Sequence, residues 1–429
     1  MKRENNLKSI LDSRPILIIA NSSWYINHYR KLLLERISLK NKLITMAPID
    51  GSSNKLSEYS VFIPWRIYRS NDLNLFSLIF SFIKMLLLVR AIKPKLIHSH
   101  TLKTNLLSSF VSFLYGIPIV FSFAGMGRLS KSKGVKLIFL KIILNLISYF
   151  AIRQRNSRFS WGVNPSKSFL IFQNPLDIEM FEAHVPNLNN EFKKLIPGSG
   201  LPMNYFEKNI CERDNKWLIS DYSKDIKLNS ITLIYCGRLI KSKGIYIFLE
   251  ILKNNPFFKG IIFGSIDPSS DDSVKEEEIK EISKKYQNFY YAGHKVEPLL
   301  NLNEEYPIVL LPSNYGEGLS RTILESLSLK IPLICSKKAL SGIFNNNQLY
   351  YVNKNAPEEY YQKILLIIEN YKKNLLIKKL NNGYDYVKEK FSENDIVTNT
   401  LSLYSELLNN NNSSYLTKNN KNESFWLAQ

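Results

Sequence analysis

LPSNYGEGLSRTILESLSLKIP, residues 311–332, is the stretch whose reading decides the fold. Leu311 closes an apolar run that begins at Pro307, and Pro312-Ser313-Asn314-Tyr315-Gly316 is a small-residue loop. Glu317-Gly318 follows, then a helical pattern with Ile323, Leu324 and Leu327 on one stripe and Glu325 on its flank. Pro332 stops that helix and opens the apolar strand Leu333-Ile334-Cys335. Strand, loop, helix and strand make one unit of a parallel α/β sheet. A carboxylate, a glycine turn, a helix start and a second carboxylate eight residues on suit a sugar diphosphate. Backbone N–H groups at the helix start favour anionic oxygens, and carboxylates accept hydrogen bonds from neighbouring hydroxyls. A plain loop and an amphipathic helix with two solvated glutamates fit the same residues, so the stretch alone leaves both readings open.

Upstream the alternation of strand and helix continues. Residues 231–236 (ITLIYC) read as a buried strand running into Gly237-Arg238-Leu239-Ile240-Lys241-Ser242-Lys243-Gly244, with a helix from Ile245. A glycine turn, two spaced cations and a helix start form either a diphosphate cradle or a basic surface loop; Lys241 reads as solvated. Further strands end at Gly264 and at Gly293-His294. In the first half, residues 15–20 (PILIIA) form a continuous apolar run, as a central parallel strand should. Residues 95–100 (KLIHSH) are another strand, Thr104 is placed to cap a helix over 105–115, and the strand 117–123 ends in Ala124-Gly125-Met126-Gly127-Arg128. Ligands of doubly wound sheets sit beyond the carboxyl ends of strands, where His98, His100, Lys103, Gly125 and Gly127 fall. Structural histidines are the alternative for His98 and His100. The breaker-rich stretch 196–201 (IPGSGL) and the polar residues 207–230 mark a domain boundary. Ser392 and Asp395 resemble a capping box for a helix to Leu408, and residues 409–424 lack a core pattern.

At 429 residues the chain has length for about two domains. Cys211, Cys236 and Cys335 show no metal or redox spacing and read as thiols in a reducing compartment, the last two buried. The first apolar run is too short for a signal-peptide core, and nothing reads as membrane-spanning.

Charge is concentrated in the first half. Residues 1–180 hold 26 Lys+Arg against 8 Asp+Glu, a net of +18 out of +20 for the whole chain. Between Asp72 and Asp177 there are fourteen basic residues and no acidic one. An anionic partner follows, nucleic acid or a membrane surface, and no nucleic-acid motif is present. Residues 73–92 and 136–152 are helical in period with wide apolar faces and a narrow polar stripe. The stripe is Asn74, Ser77, Ser81 and Lys84 in the first, and Lys141, Asn145 and Ser148 in the second. Both fit core helices of a Rossmann-like domain, and both fit helices lying in a bilayer interface with Lys136, Lys141, Arg153 and Arg155 facing the lipid.

Gly237-Arg238-Leu239, Lys243-Gly244, Pro312-Ser313, Glu317-Gly318 and Glu325, in that order, resemble the GT-B retaining glycosyltransferases of family 4. The two glutamates match that family's E-x7-E motif. Gly318-Leu319-Ser320-Arg321, Phe172-Gln173-Asn174-Pro175, Ile196-Pro197-Gly198-Ser199-Gly200 and His98-Ser99-His100-Thr101-Leu102-Lys103 are similar to stretches in bacterial enzymes that extend polyprenyl-diphosphate-linked glycans. The resemblance runs from about residue 15 to residue 408.

It implies an α/β GT-B fold, with two Rossmann-like domains facing each other across a donor/acceptor cleft. Residues 1–200 would form the acceptor- and membrane-facing domain, and residues 201–408 the nucleotide-sugar domain, its last helix able to pack back on the first. Residues 409–429 would be a disordered tail. Arg238 and Lys243 would hold the donor diphosphate and neutralise its leaving charge without a metal or cofactor. Glu317 would grip the transferred sugar beside Gly318, Leu319 and Ser320, and Glu325 the ribose hydroxyls. Gly237, Gly264 and His294 would complete the donor site. His98, His100, Lys103, Gly125, Gly127 and Arg128 would face the acceptor. The implied reaction is transfer, with retention, of a hexosyl or N-acetylhexosaminyl unit from a UDP-sugar to a polyprenyl-linked glycan. The setting would be O-antigen, capsule or exopolysaccharide synthesis, with the enzyme cytoplasmic and peripheral to an anionic membrane. Ser320 stands where many relatives have Pro, and residues 326–329 where they are Ala-rich; neither change touches a charged group. A GT-B nucleotide-sugar epimerase and a non-catalytic membrane-surface scaffold remain as alternatives.

Overall fold

The computed structural model describes residues 13–67, 75–123, 125–126, 134–152, 168–186, 188–210, 216–218, 226–267, 270, 272–314, 316 and 318–409. In chain order the first half comprises β1 (Ile16–Ile19), α1 (Ser23–Tyr29), α2 (Lys31–Ser38), β2 (Leu43–Ala47), α3 (Ser53–Leu56), β3 (Val61–Pro64) and α4 (Leu75–Ile92). It continues with β4 (Leu96–His100), α5 (Leu102–Tyr115), β5 (Ile119–Phe123), α6 (Val135–Ile152), β6 (Ser168–Phe172), α7 (Pro175–Glu182) and β7 (Lys193–Leu195). The seven strands are parallel in the order β3-β2-β1-β4-β5-β6-β7.

The second half follows with α8 (Met203–Ile210), β8 (Ile231–Cys236), α9 (Ile245–Asn254), β9 (Lys259–Phe263), α10 (Glu276–Lys285), β10 (Phe289–Gly293) and β11 (Tyr306–Leu311). Then come α11 (Arg321–Ser328), β12 (Leu333–Ser336), β13 (Tyr350–Val352), α12 (Pro357–Lys372), α13 (Leu376–Lys390) and α14 (Glu393–Asn409). Its six strands are also parallel, in the order β10-β9-β8-β11-β12-β13.

Each sheet is covered on both faces, which is why β1, β4, β8 and β11 are buried at every position; β1, β8 and β11 read as largely apolar runs, while β4 buries His98, Ser99 and His100 as well. One face of the first sheet packs on α4, α5 and α6 through Met85, Val111 and Leu144. The other face packs on α2, and there α14 joins it: Val397, Leu403 and Leu407 share a core with Leu34 and Ile37. β1 and α14 thus belong to the same domain's core. Strand order reverses between β1 and β4 and between β8 and β11, and the crevices at these two reversals face each other across the cleft.

Two local expectations change. The helix after β4 begins at Leu102, not after Thr104, because Thr101 takes a left-handed φ of 78° and starts the turn itself. Thr104 lies inside that helix, its hydroxyl donating back to the Thr101 carbonyl at 2.8 Å.

The polar stripes of α4 and α6 divide: Ser81 and Ser148 turn inward, while Lys84, Lys141 and Asn145 are exposed. Ser81 is buried with its hydroxyl donating to the Arg66 carbonyl, and Ser148 is buried with its hydroxyl donating to Leu144. Small serines face the protein and satisfy themselves on nearby carbonyls, while several large apolar side chains lie outside. Phe76 is 83 % exposed and Phe80 79 %, with Ile79, Ile83 and Leu87 on the same stripe. On α6, Val135 is 82 % and Ile138 60 % exposed, with Phe139 and Ile142 beside them. Among the described residues no helix is long and apolar enough to cross a membrane.

Candidate active site

The second domain's wall of the cleft is built on β8 and β11. After Cys236 the chain turns at Gly237, whose N–H donates to Phe263 O at 3.0 Å. Residues Lys241–Lys243 make one turn of 3-10 helix, and Gly244 then starts α9 with φ 77°. A Cβ on Gly244 would stand 1.9 Å from the Pro312 carbonyl oxygen, so only glycine lets this turn press against the end of β11. Asn314 N donates to Ser242 O at 2.8 Å, joining the turn to the loop after β11. Asp272 braces it from behind, its Oδ2 accepting from Ser242 N at 3.0 Å.

Two cavities meet at this wall, of about 600 and 550 Å³, and Trp24, Tyr29, Arg238, Arg321 and Thr322 line both. Arg238, Lys243, Leu319 and Ser320 come together in the larger, with Gly125 on the opposing wall. Among the described residues its charged lining is Arg30, Arg238, Lys243 and Arg321, with no carboxylate. The smaller cavity gathers Gly237, Gly264, His294 and Glu325, faced by Trp24 and His28 of α1. Trp24 and His28 stack with ring centroids 4.4 Å apart, and burial pulls the His28 imidazole below its usual range. Most of the expected donor residues are thus contiguous.

Glu325 is 8 % exposed, and its Oε1 accepts from Arg321 Nε at 2.6 Å. Arg321 also lies 3.6 Å from Glu297 and 5.6 Å from the centre of the Tyr29 ring in the first domain. Burial raises the Glu325 carboxyl above its ordinary range, and the Arg321 cation opposes that rise. Arg238 is ion-paired with Asp267. The sequence reading missed Arg321, Asp267 and Asp272 as parts of the site. Arg321 sits four residues before Glu325, a helical spacing that could have flagged it; Asp267 is brought in by tertiary packing alone.

Glu317, Gly127, Arg128, Arg153 and Arg155 lie outside the described residues, as does the Lys136 side chain. Lys141 is exposed on α6. Two acceptor-side expectations are corrected. His98 is 1 % exposed, with Nε2 2.8 Å from Ser122 Oγ and Nδ1 bonded to the Tyr404 hydroxyl of α14. His100 is fully buried behind Tyr25. Both face inward because β4 is central and covered on both sides, and burial holds both rings well below the usual histidine range. Lys103 lines neither cavity. Gly318 does not line them either, but its backbone lies against Gly125.

Residues 220–382 match the family model described as glycosyl transferases group 1. A curated relative, the capsular polysaccharide biosynthesis glycosyltransferase CapM of Staphylococcus aureus, is 24 % identical over 383 residues, 87 % of this chain and 93 % of that one. Among solved structures, Anabaena Alr3699/HepE in complex with UDP superposes with a TM-score of 0.67 at 17 % identity, covering 92 % of this chain and 100 % of that one. The same protein with UDP-glucose gives 0.66 at 17 % identity, with 92 % and 100 % covered. A glycosyltransferase from Rickettsia africae gives 0.67 at 16 % identity, with 93 % and 100 % covered. The fold is GT-B: two parallel-sheet α/β domains of seven and six strands.

Proposed function

We propose that the chain is a group 1 glycosyltransferase of surface-polysaccharide synthesis, moving a hexosyl or N-acetylhexosaminyl unit from a UDP-sugar to a polyprenyl-diphosphate-linked glycan with retention. The observation that carries this reading is the gathering of Arg238, Lys243 and Glu325 around two joined cavities at the strand-order reversals. The smaller cavity suits the nucleoside, with Glu325 accepting from the ribose hydroxyls once they compete with Arg321. The larger suits the diphosphate, the sugar and the end of the acceptor. CapM by its name, and HepE by its complexes with UDP and UDP-glucose, support the substrate class.

In the reaction the bond between the sugar's anomeric carbon and the diphosphate oxygen breaks, and an acceptor hydroxyl attacks from the same face. Its proton passes to the departing diphosphate. Arg238 and Lys243 carry the charge that grows on that leaving group, and stabilising such charge is often what lowers a barrier of this kind most. By resemblance, Glu317 holds the transferred sugar. These cations do the work elsewhere done by a metal, so none is invoked.

The acceptor lipid requires the first domain to reach a bilayer. The exposed stripes of α4 and α6, with Lys84, Arg90 and Lys141 also exposed, support docking on anionic lipid.

Thermal-shift measurements across a panel of nucleotide sugars test the donor, and transfer to a synthetic polyprenyl-diphosphate glycan tests the acceptor. A UDP-sugar should stabilise the protein most, and proton NMR of the product should show the donor's anomeric configuration. Absence of any nucleotide-sugar shift would overturn the reading; interconversion of the donor without transfer would favour an epimerase.

A further inference from the structure

The first domain's wall of the larger cavity carries a cation that the donor chemistry does not use. Arg30 sits at the junction of α1 and α2 and is only 6 % exposed. Its Nη1 donates to Gly198 O at 3.1 Å and its Nη2 to the Tyr25 hydroxyl at 3.2 Å. Its Nε is buried without a hydrogen-bond partner, and so is Nε2 of His100, whose Nδ1 lies 3.4 Å from the same Tyr25 hydroxyl.

The other two arginines lining this cavity have carboxylates: Arg238 has Asp267, and Arg321 has Glu325 and Glu297. Among the described residues Arg30 has none within salt-bridge distance; Glu393 feels it only from farther away. A buried guanidinium bonded only to a carbonyl and a phenol is costly, and an entering anion would offset that cost.

We propose that Arg30 and Tyr25 form a second phosphoryl subsite, across the cleft from Arg238 and Lys243, that takes the acceptor's diphosphate. This rests on the donor reading above, because the first diphosphate must already occupy the second domain's wall. The two groups then lie on opposite sides of one cavity whose described lining holds no carboxylate, with the transferred sugar between them. Phosphoryl oxygens could also reach Arg30 from the donor, and the experiment separates the two sources.

Inorganic pyrophosphate is titrated calorimetrically into the full chain saturated with UDP, for wild type, Arg30→Gln, Arg30→Lys and Tyr25→Phe, with each melting temperature as a fold check. Wild type should bind one pyrophosphate beside UDP. Arg30→Gln should weaken that binding tenfold or more with UDP affinity unchanged, Arg30→Lys should retain part of it, and Tyr25→Phe should lose two- to threefold. If Arg30→Gln does not fold, the Lys and Phe variants decide. No pyrophosphate binding beside UDP, or equal binding in every variant that folds, overturns the proposal. Parallel loss of UDP and pyrophosphate in a folded variant assigns Arg30 to the donor and overturns it too. Failure of wild type to bind UDP refutes the donor reading instead.

Discussion

Gly318 touches the other domain backbone to backbone: a Cβ built on it would stand 2.9 Å from Gly125 Cα and 3.2 Å from Gly125 N. Gly318 follows Glu317 in sequence, and Gly125 lines the larger cavity from the first domain. Gly318→Ala should force the two walls apart where the reacting groups meet. Misplacement by about 1 Å can cost on the order of 100-fold in rate, and we expect a kcat loss of about tenfold or more with little change in Tm. Gly316→Ala is the control, because a Cβ there meets nothing within 4 Å. Equal kcat values for the two variants would show that the close approach is not needed for turnover.

The pair Arg321 and Glu325 predicts an asymmetry in stability. Glu325 is nearly enclosed, so Arg321→Met leaves a buried carboxylate without its cation. Glu325→Gln leaves a partly exposed guanidinium still 3.6 Å from Glu297. Arg321→Met should therefore be the more destabilising, on the order of 1–3 kcal/mol after allowing for solvent, as read by urea unfolding. The reverse order would mean that Arg321 is not the group that makes the buried carboxylate tolerable.

The same site separates binding from turnover. Glu325→Gln should weaken UDP binding by about tenfold or more, since a charge-assisted hydrogen bond is worth about 1.5–3 kcal/mol, with a smaller effect on kcat. Glu317→Gln should do the opposite. Calorimetry with UDP and steady-state kinetics on the same preparations check this; matching losses in both quantities for both variants would mean the two roles are misassigned.

The fold was legible because parallel strands covered on both faces read as apolar runs, as at Ile231–Cys236 and Tyr306–Leu311. Arg238 and Lys243 were singled out because they follow such a strand at a glycine turn, and both line the larger cavity. Pairings made over distance were not. Arg238 and Asp267 are 29 residues apart, and only the packing of β8 on β9 brings their loops together. The acceptor-side histidines failed for a related reason. A strand end marks a crevice only if the side chain points into it, and β4 turns His98 and His100 inward together because residues two apart share a face.

Asp177 gives a pH signature. Its carboxylate is buried at the first turn of α7, with Oδ1 accepting from Met126 N at 2.8 Å and Oδ2 from Asn174 Nδ2 at 2.9 Å. Burial raises its pKa to about 6, and these two bonds hold it from rising further. The folded state therefore binds more protons than the unfolded chain between about pH 4 and pH 6, and stability from this group falls as pH rises through that window. The Tm difference between wild type and Asp177→Asn should shift toward the variant from pH 4 to pH 6 and level off above. The buried His98 and His100 pull in the opposite sense but are common to both proteins and cancel. A pH-independent difference would place the Asp177 titration elsewhere.

The exposed stripes of α4 and α6 make the last prediction, because charge and apolar surface give different salt dependences. Docking by Lys and Arg alone is worth about 1 kcal/mol per residue near an anionic surface and is screened by salt. Burying a Phe side chain adds about 1.5–3 kcal/mol that salt does not screen. With Phe76 and Phe80 each about four-fifths exposed, binding to vesicles containing anionic lipid should weaken but persist in high salt. Phe76→Ser with Phe80→Ser should remove the salt-resistant part, by about tenfold or more, and Lys141→Gln should remove only some of the salt-sensitive part. Vesicle flotation at two ionic strengths reads both. If the double variant floats like wild type while sedimentation shows that it has lost a dimer, the stripe is an interface between copies of the chain, and the lipid reading of that face is wrong.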